Sequence, residues 1–239
     1  ALLPEGELAK MSLTSYQEML GESELSTDPN QLDQVRRVGE RLAGATQAYL
    51  EAHALSTDGY AWEYNVIKDD ETANAFAMPG GKIAVYTGIL PIAQNDEGLA
   101  VVMSHEIAHV LAKHGNERMS QGMLTQMGGM GLSLAMRNKP AATQSIFMTS
   151  FGVSSQVGLM LPYSRMHESE ADHIGIVLMA IAGYNPQASI GFWERMGADG
   201  GKRPPKFLST HPAPQRRVDN LKANMPEAMA VYEKQLNKQ

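Results

Sequence analysis

Two histidines four residues apart, His105 and His109, with Glu106 directly after the first, stand in the run VMSHEIAHVLAKH (Val102–His114). On a helix, positions i and i+4 lie one above the other, so both imidazoles can offer a nitrogen to one ion. Glu106 then projects beside that ion, where it can take a proton from a bound water. Zinc lowers the pKa of such a water to roughly 7 and makes it a nucleophile for a carbonyl. Val101, Val102, Ile107, Ala108, Val110 and Leu111 give the segment the apolar surround of a buried helix that carries a few functional groups. The competing reading is three polar residues on an ordinary helix.

A catalytic zinc takes three protein ligands and keeps a fourth position open. The chain has no cysteine, so the ligands must be His, Asp or Glu. In SRMHESEADHIG (Ser164–Gly175), Glu168 and Asp172 are again i and i+4. One can ligate while the other, a turn away, accepts the second N–H of a ligand imidazole, a role that suits Asp172. Without the histidine pair, Glu168, Glu170 and Asp172 would read as a solvated acidic face. His167 and His173 lie on other faces and read as surface histidines. His114, five residues after His109, has rotated off the His105/His109 face and reads as polar or exposed at the helix end. His53 has no partner in sequence.

The elements that must position these groups follow from periodicity. Leu8–Leu20 and Pro29–Ala52 read as helices, the second with Leu32, Val35, Val38, Leu42, Ala45 and Tyr49 on one stripe behind the capping run STDPN. Trp62–Ile67, Ala75–Met78 and Lys82–Val85 read as a small antiparallel sheet, with Pro79-Gly80-Gly81 as a turn. From Asp96 the pattern is helical: Asp96–His114, an ambiguous Met- and Gly-rich stretch over 120–161, Ser164–Ala182, Pro186–Met196, and two short helices after His211 and Pro226. The loop Gly197–Phe207 reads as a linker or flap. The fold class is α+β, a mostly helical single domain over 1–239, with N-terminal helices in 1–60, the sheet in 61–92 and the metal-binding and C-terminal helices in 93–239.

The net charge of −6 over 239 residues argues against a nucleic-acid partner. Pro140–Ser164 carries no charged side chain, but Thr143, Gln144, Ser150, Ser154, Ser155 and Gln156 favour a buried or lid-like helix pair over a membrane span. The chain begins without an initiator Met, a basic n-region or an apolar h-region, as a processed chain would.

HEIAH (His105–His109), ESEADHIG (Glu168–Gly175), NAFAMPGGKI (Asn74–Ile83) and HPAPQRR (His211–Arg217) occur in one order. Together they resemble the gluzincin-type zinc metallopeptidases typified by HtpX, the CAAX prenyl protease, mitochondrial Oma, BepA and LoiP. The resemblance implies one Zn2+ per chain, held by His105, His109 and Glu168, with Glu106 as general base and Asp172 behind a zinc histidine. It implies catalytic roles for His211 and Arg217 facing the active site, and a strand at Ala75, Phe76, Ala77 and Met78 beside which a peptide adds. His211 has a second reading, as a cap on the open zinc position in a resting state. By the same resemblance, the substrates are unfolded or misassembled proteins of the bacterial envelope, and the location is the periplasm. Membrane association is then left to a lipid anchor outside this chain, and the short run after His211 leaves no room for a helical-repeat tail. Two other functions fit the residues: a zinc-bearing chaperone using the Met-rich run Gln121–Met136, and a structural zinc site with His211 as fourth ligand.

Overall fold

The helix that carries HEIAH lies at the centre of the molecule. The computed structural model describes residues 5–118, 163–198, 205–211 and 214–238. Its helices are α1 (Glu5–Glu22), α2 (Pro29–Ala52), α3 (Leu90–Ala93), α4 (Asp96–Leu111), α5 (Arg165–Ile181), α6 (Ala188–Ala198), α7 (Lys206–Thr210) and α8 (Pro214–Leu236). The strands are β1 (Glu63–Ile67), β2 (Ala75–Met78) and β3 (Lys82–Tyr86). This is a mostly helical α+β fold with one small sheet. Among the described residues no helix is long and apolar enough to cross a membrane. The Gln121–Met136 run, most of 140–164 and the middle of the Gly197–Phe207 loop lie outside the described residues.

Helix α4 is buried at every position from Gly98 to His109, which an amphipathic surface helix never is. Asn95 caps it by accepting the Gly98 N–H at 3.0 Å, and Asp96 and Glu97 complement the dipole of its first turn. Helix α2 starts at the Asp28 cap, with Pro29 in its first turn. It packs Val35, Val38 and Leu42 into the same core as Leu99, Val102 and Met103 of α4. Each such side chain, fully buried, contributes roughly 1.5–3 kcal/mol. The Arg37 guanidinium forks onto Asp96, Nε to Oδ2 and Nη2 to Oδ1 both at 2.8 Å, pinning α2 to the start of α4. Helix α5, capped by the Ser164 hydroxyl on the His167 N–H, crosses α4 at Gly175. A Cβ there would come within 3.3 Å of the His105 backbone nitrogen, so the missing side chain lets the two helices close on the metal-ligand candidates.

The sheet has the order β1-β3-β2 and is mixed, where the sequence led us to expect antiparallel pairing throughout. Strands β2 and β3 form the antiparallel hairpin, Ala75 opposite Val85 and Met78 opposite Lys82, turned by Gly80 and Gly81 at positive φ. Residues 68–74 then carry the chain past the end of β3, so β1 lies on its far side and runs parallel to it, Glu63 opposite Lys82. The other departure is at the C-terminus, where one helix, α8, runs through Pro226 instead of breaking into two. Pro226 and Lys222, whose carbonyl loses its helical donor, are both exposed, while Leu221, Met225 and Ala228 are buried. The lost bond is therefore exchanged for water, and the packed face continues.

Candidate metal centre

Four side chains from two long helices and one turn converge on a point. From α4 come His105 and His109, whose Nε2 atoms lie 3.1 Å apart. From the first turn of α5 comes Glu168, its Oε1 3.2 Å from His109 Nε2 and its Oε2 3.5 Å from His105 Nε2. From the residue that ends α7 comes His211, its Nδ1 3.2 Å from His105 Nε2 and 2.8 Å from Glu168 Oε1. All four residues are buried, and one donor atom from each falls within 4.8 Å of the other three. A tetrahedral ion with bonds of about 2.0–2.1 Å has donor-to-donor edges of about 3.3 Å, which these separations approach.

The donor set fits a cation on electrostatic grounds as well. Three imidazole nitrogens and a carboxylate meet where at most one proton can sit between each pair, and Glu106 Oε1 is buried without a hydrogen bond. Burial holds His109 well below its ordinary pKa and His211 down to about 4, so both present lone pairs. Burial also opposes a proton on His105, yet Glu168 and Asp172 overcome it and raise that group to about 9. Glu168 stays ionised despite burial, because His105 and the other two histidines hold it far below the carboxylate range. The cluster thus demands one added positive charge at this point, as a proton or as a metal ion.

Glu106, a neighbour of His105 on α4, has its Oε1 3.3 Å from His211 Nε2. Burial pushes its carboxyl up to about 8, opposed in part by a hydrogen bond from the Ala77 backbone. Behind His105, Asp172 Oδ1 lies 2.9 Å from Nδ1. Arg217 clasps Asp172 from α8, Nε to Oδ2 at 2.9 Å and Nη2 to Oδ1 at 2.6 Å, and its Cζ sits 3.5 Å above the Trp193 ring. The remaining nitrogen, Nη1, is 2.7 Å from Glu168 Oε2. Arg217 therefore neutralises two buried carboxylates. Asp172 and Trp193 fix the guanidinium beside the cluster, within reach of the candidate ligands Glu168 and His105.

Of the strand residues expected to meet a peptide, Ala77 alone lines the cleft of about 400 Å³ that also touches His109, Tyr163, Pro79 and Gly80. Ala75 is buried, and Phe76 and Met78 point to the opposite face of the sheet, against Tyr16 of α1. The alternation of side chains along β2 explains the split.

His114 departs furthest from the reading as an exposed helix end. It is 1% exposed, with its Nδ1 2.9 Å from His109 Nδ1 and its Nε2 3.1 Å from Glu170 Oε2. Helix α4 stops at Leu111, and Lys113 takes φ +60°, so the chain turns back and returns His114 to the side of His109. A regular helix would have carried it away. Trp193 beside His105, Phe207 stacked 4.2 Å under His211 and Tyr163 stacked 3.9 Å on His109 were also missed. An apolar residue in sequence carries no mark of what it packs against. His173 pairs with Glu227 on the surface, His167 is partly buried over His114, and His53 stacks on Tyr49 in an exposed position.

Comparison with known proteins agrees with the motifs. The chain is 40% identical over 183 residues to the mitochondrial metalloendopeptidase OMA1 of Saccharomyces cerevisiae, covering 74% of this chain and 50% of that protein. It is 35% identical over 186 residues to the Arabidopsis thaliana mitochondrial metalloendopeptidase OMA1, covering 76% and 36%. It is 29% identical over 235 residues to the beta-barrel assembly-enhancing protease of Escherichia coli, covering 95% and 46%. The chain spans about half or less of the length of these relatives. The bacterial periplasm expected from the resemblance does not stand: the relatives of higher identity are mitochondrial by name, and the bacterial one is matched more weakly. A model of peptidase family M48 matches residues 29–225, and with that span and these identities the chain belongs to peptidase family M48.

Proposed function

We propose that this chain is a zinc-dependent endopeptidase acting on unfolded or misassembled polypeptides. The observation that carries the reading is the buried donor set His105, His109, Glu168 and His211, with the Glu106 carboxyl beside it and a cleft opening at Ala77. His105, His109 and Glu168 would hold the ion, which when bound supplies Lewis acidity for water activation and carbonyl polarisation. Glu106, whose carboxyl burial raises and a bound cation would draw back toward its ionised form, takes the proton of the attacking water and returns it to the leaving amine. An extended substrate lies along Ala77, Pro79 and Gly80, and its side chains enter the cleft that the stacked His109 and Tyr163 rings line.

His211 comes from a turn, whereas the other three donors come from helices that are capped and packed on both sides. A catalytic site needs an open position. His211 would therefore be the donor that occupies the fourth position at rest and yields it to a substrate carbonyl.

Casein hydrolysis tests both steps. Glu106→Gln is expected to lose roughly 10²–10⁴-fold in rate while keeping its metal, and His211→Ala to keep or gain activity. Undiminished cleavage by a clean Glu106→Gln preparation would refute the mechanism. Loss of bound metal in His211→Ala would make His211 an obligate ligand, and the site a structural one.

A further inference from the structure

The back of His109 is served by a contact that the proposed chemistry does not use. His109 Nε2 faces His105 Nε2 and Glu168 Oε1, so its Nδ1 points away from the centre, and there it meets His114 Nδ1 at 2.9 Å. One proton must lie between two ring nitrogens at that distance. If it belonged to His114, the proton of a neutral His109 would sit on Nε2, aimed at the other donors, and His109 could not ligate. On the opposite side of the ring, His114 Nε2 lies 3.1 Å from the Glu170 carboxylate, an acceptor only. That carboxylate holds the His114 proton on Nε2 and leaves Nδ1 bare to accept from His109. The ring itself is clamped by His167, stacked at 4.3 Å, whose Nε2 is in turn 2.9 Å from Glu117 Oε2.

We propose that His114 is a positioning residue for the metal centre: anchored by Glu170, it accepts the Nδ1–H of His109 and fixes that imidazole with Nε2 bare toward the ion. The inference rests on the metal-centre reading above. It assigns the turn at Lys113 a purpose, since the reversal after α4 brings this acceptor to the back of His109.

The test is zinc affinity, measured by competition with a chromophoric chelator, alongside thermal melts of the metal-free chains. His114→Phe keeps a ring but removes the acceptor, and is expected to weaken zinc binding roughly 10–100-fold with a melting temperature close to that of the metal-free wild type. His114→Asn puts an amide oxygen near the Nδ1 position and is expected to recover most of the affinity. Glu170→Leu alters a side chain that is 55% exposed, so it tests the anchor without threatening the fold, and a loss of several-fold is expected. Zinc bound by His114→Phe as tightly as by wild type would overturn the proposal, as would His114→Asn no better than His114→Phe. If His114→Phe does not fold, the Asn and Glu170→Leu variants decide: wild-type affinity in Glu170→Leu overturns the anchor. A wild type that binds no zinc removes the metal-centre reading itself, a different result from wild-type binding that is blind to position 114.

Discussion

The two histidines of α4 are supported from behind by opposite means. His105 leans on a buried charge pair, Asp172 with Arg217, roofed by Trp193 and shut away from water. His109 leans on a neutral ring, His114, which leads within two contacts to a carboxylate on the surface. The first arrangement ties the site to stability, because neither member of a buried pair can be removed without stranding the other. The second does not, since water can replace Glu170 at an exposed end. The centre is thus anchored firmly on its α5/α8 side and adjustably on the side of the turn after α4.

The largest effect should come from breaking the buried pair. Arg217→Met leaves Asp172 and Glu168 without their guanidinium, and should cost about 3–5 kcal/mol in urea denaturation. A cost below about 1 kcal/mol would mean that the two supports do not differ as described. Next in size is Asp172→Asn, which keeps an acceptor for His105 but removes the charge that faces Arg217. Zinc affinity should fall roughly 10–100-fold, with a clear drop in melting temperature beside it. The drop sets this variant apart from changes behind His109, and its absence would erase the contrast.

The smallest effect gives the scale for an exposed pair. The Arg37 hydrogen bonds hold the Asp96 carboxyl below its ordinary pKa. A depressed folded pKa means the contribution is present above the unfolded value of about 3.9 and is lost as pH falls through the folded one. Asp96→Asn should therefore melt lower than wild type at pH 7, by the equivalent of about 0.2–1 kcal/mol. The gap should close under acid, and a gap unchanged at pH 3 would remove the ion pair as its cause.

What the sequence made legible was whatever depends on neighbours within a turn or two. The i, i+4 pairs His105/His109 and Glu168/Asp172 lie on single helices, so their faces follow from helical geometry alone, and the three strands fall within a residue or so of the runs that predicted them. Which strand pairs with which was not legible, because β1 reaches β3 only through a connection that no local pattern specifies. His114 was misread for one backbone angle at Lys113, a residue that gives no glycine-like warning of a left-handed turn. Pro226 misled in the other direction, since a breaker in isolation is tolerated where its face meets water. Arg217 could be counted as near the site but not oriented, because its direction is set by Asp172 and Trp193 from two other helices.

The central claim is that His105, His109 and Glu168 form a metal site. The direct measurement is metal content and zinc titration of the purified chain beside Glu168→Ala. The account predicts about one zinc per wild-type chain, removable by chelator, and binding lost or greatly weakened in Glu168→Ala. A wild type that takes up no zinc, or a Glu168→Ala variant that binds it as well as wild type, would contradict it.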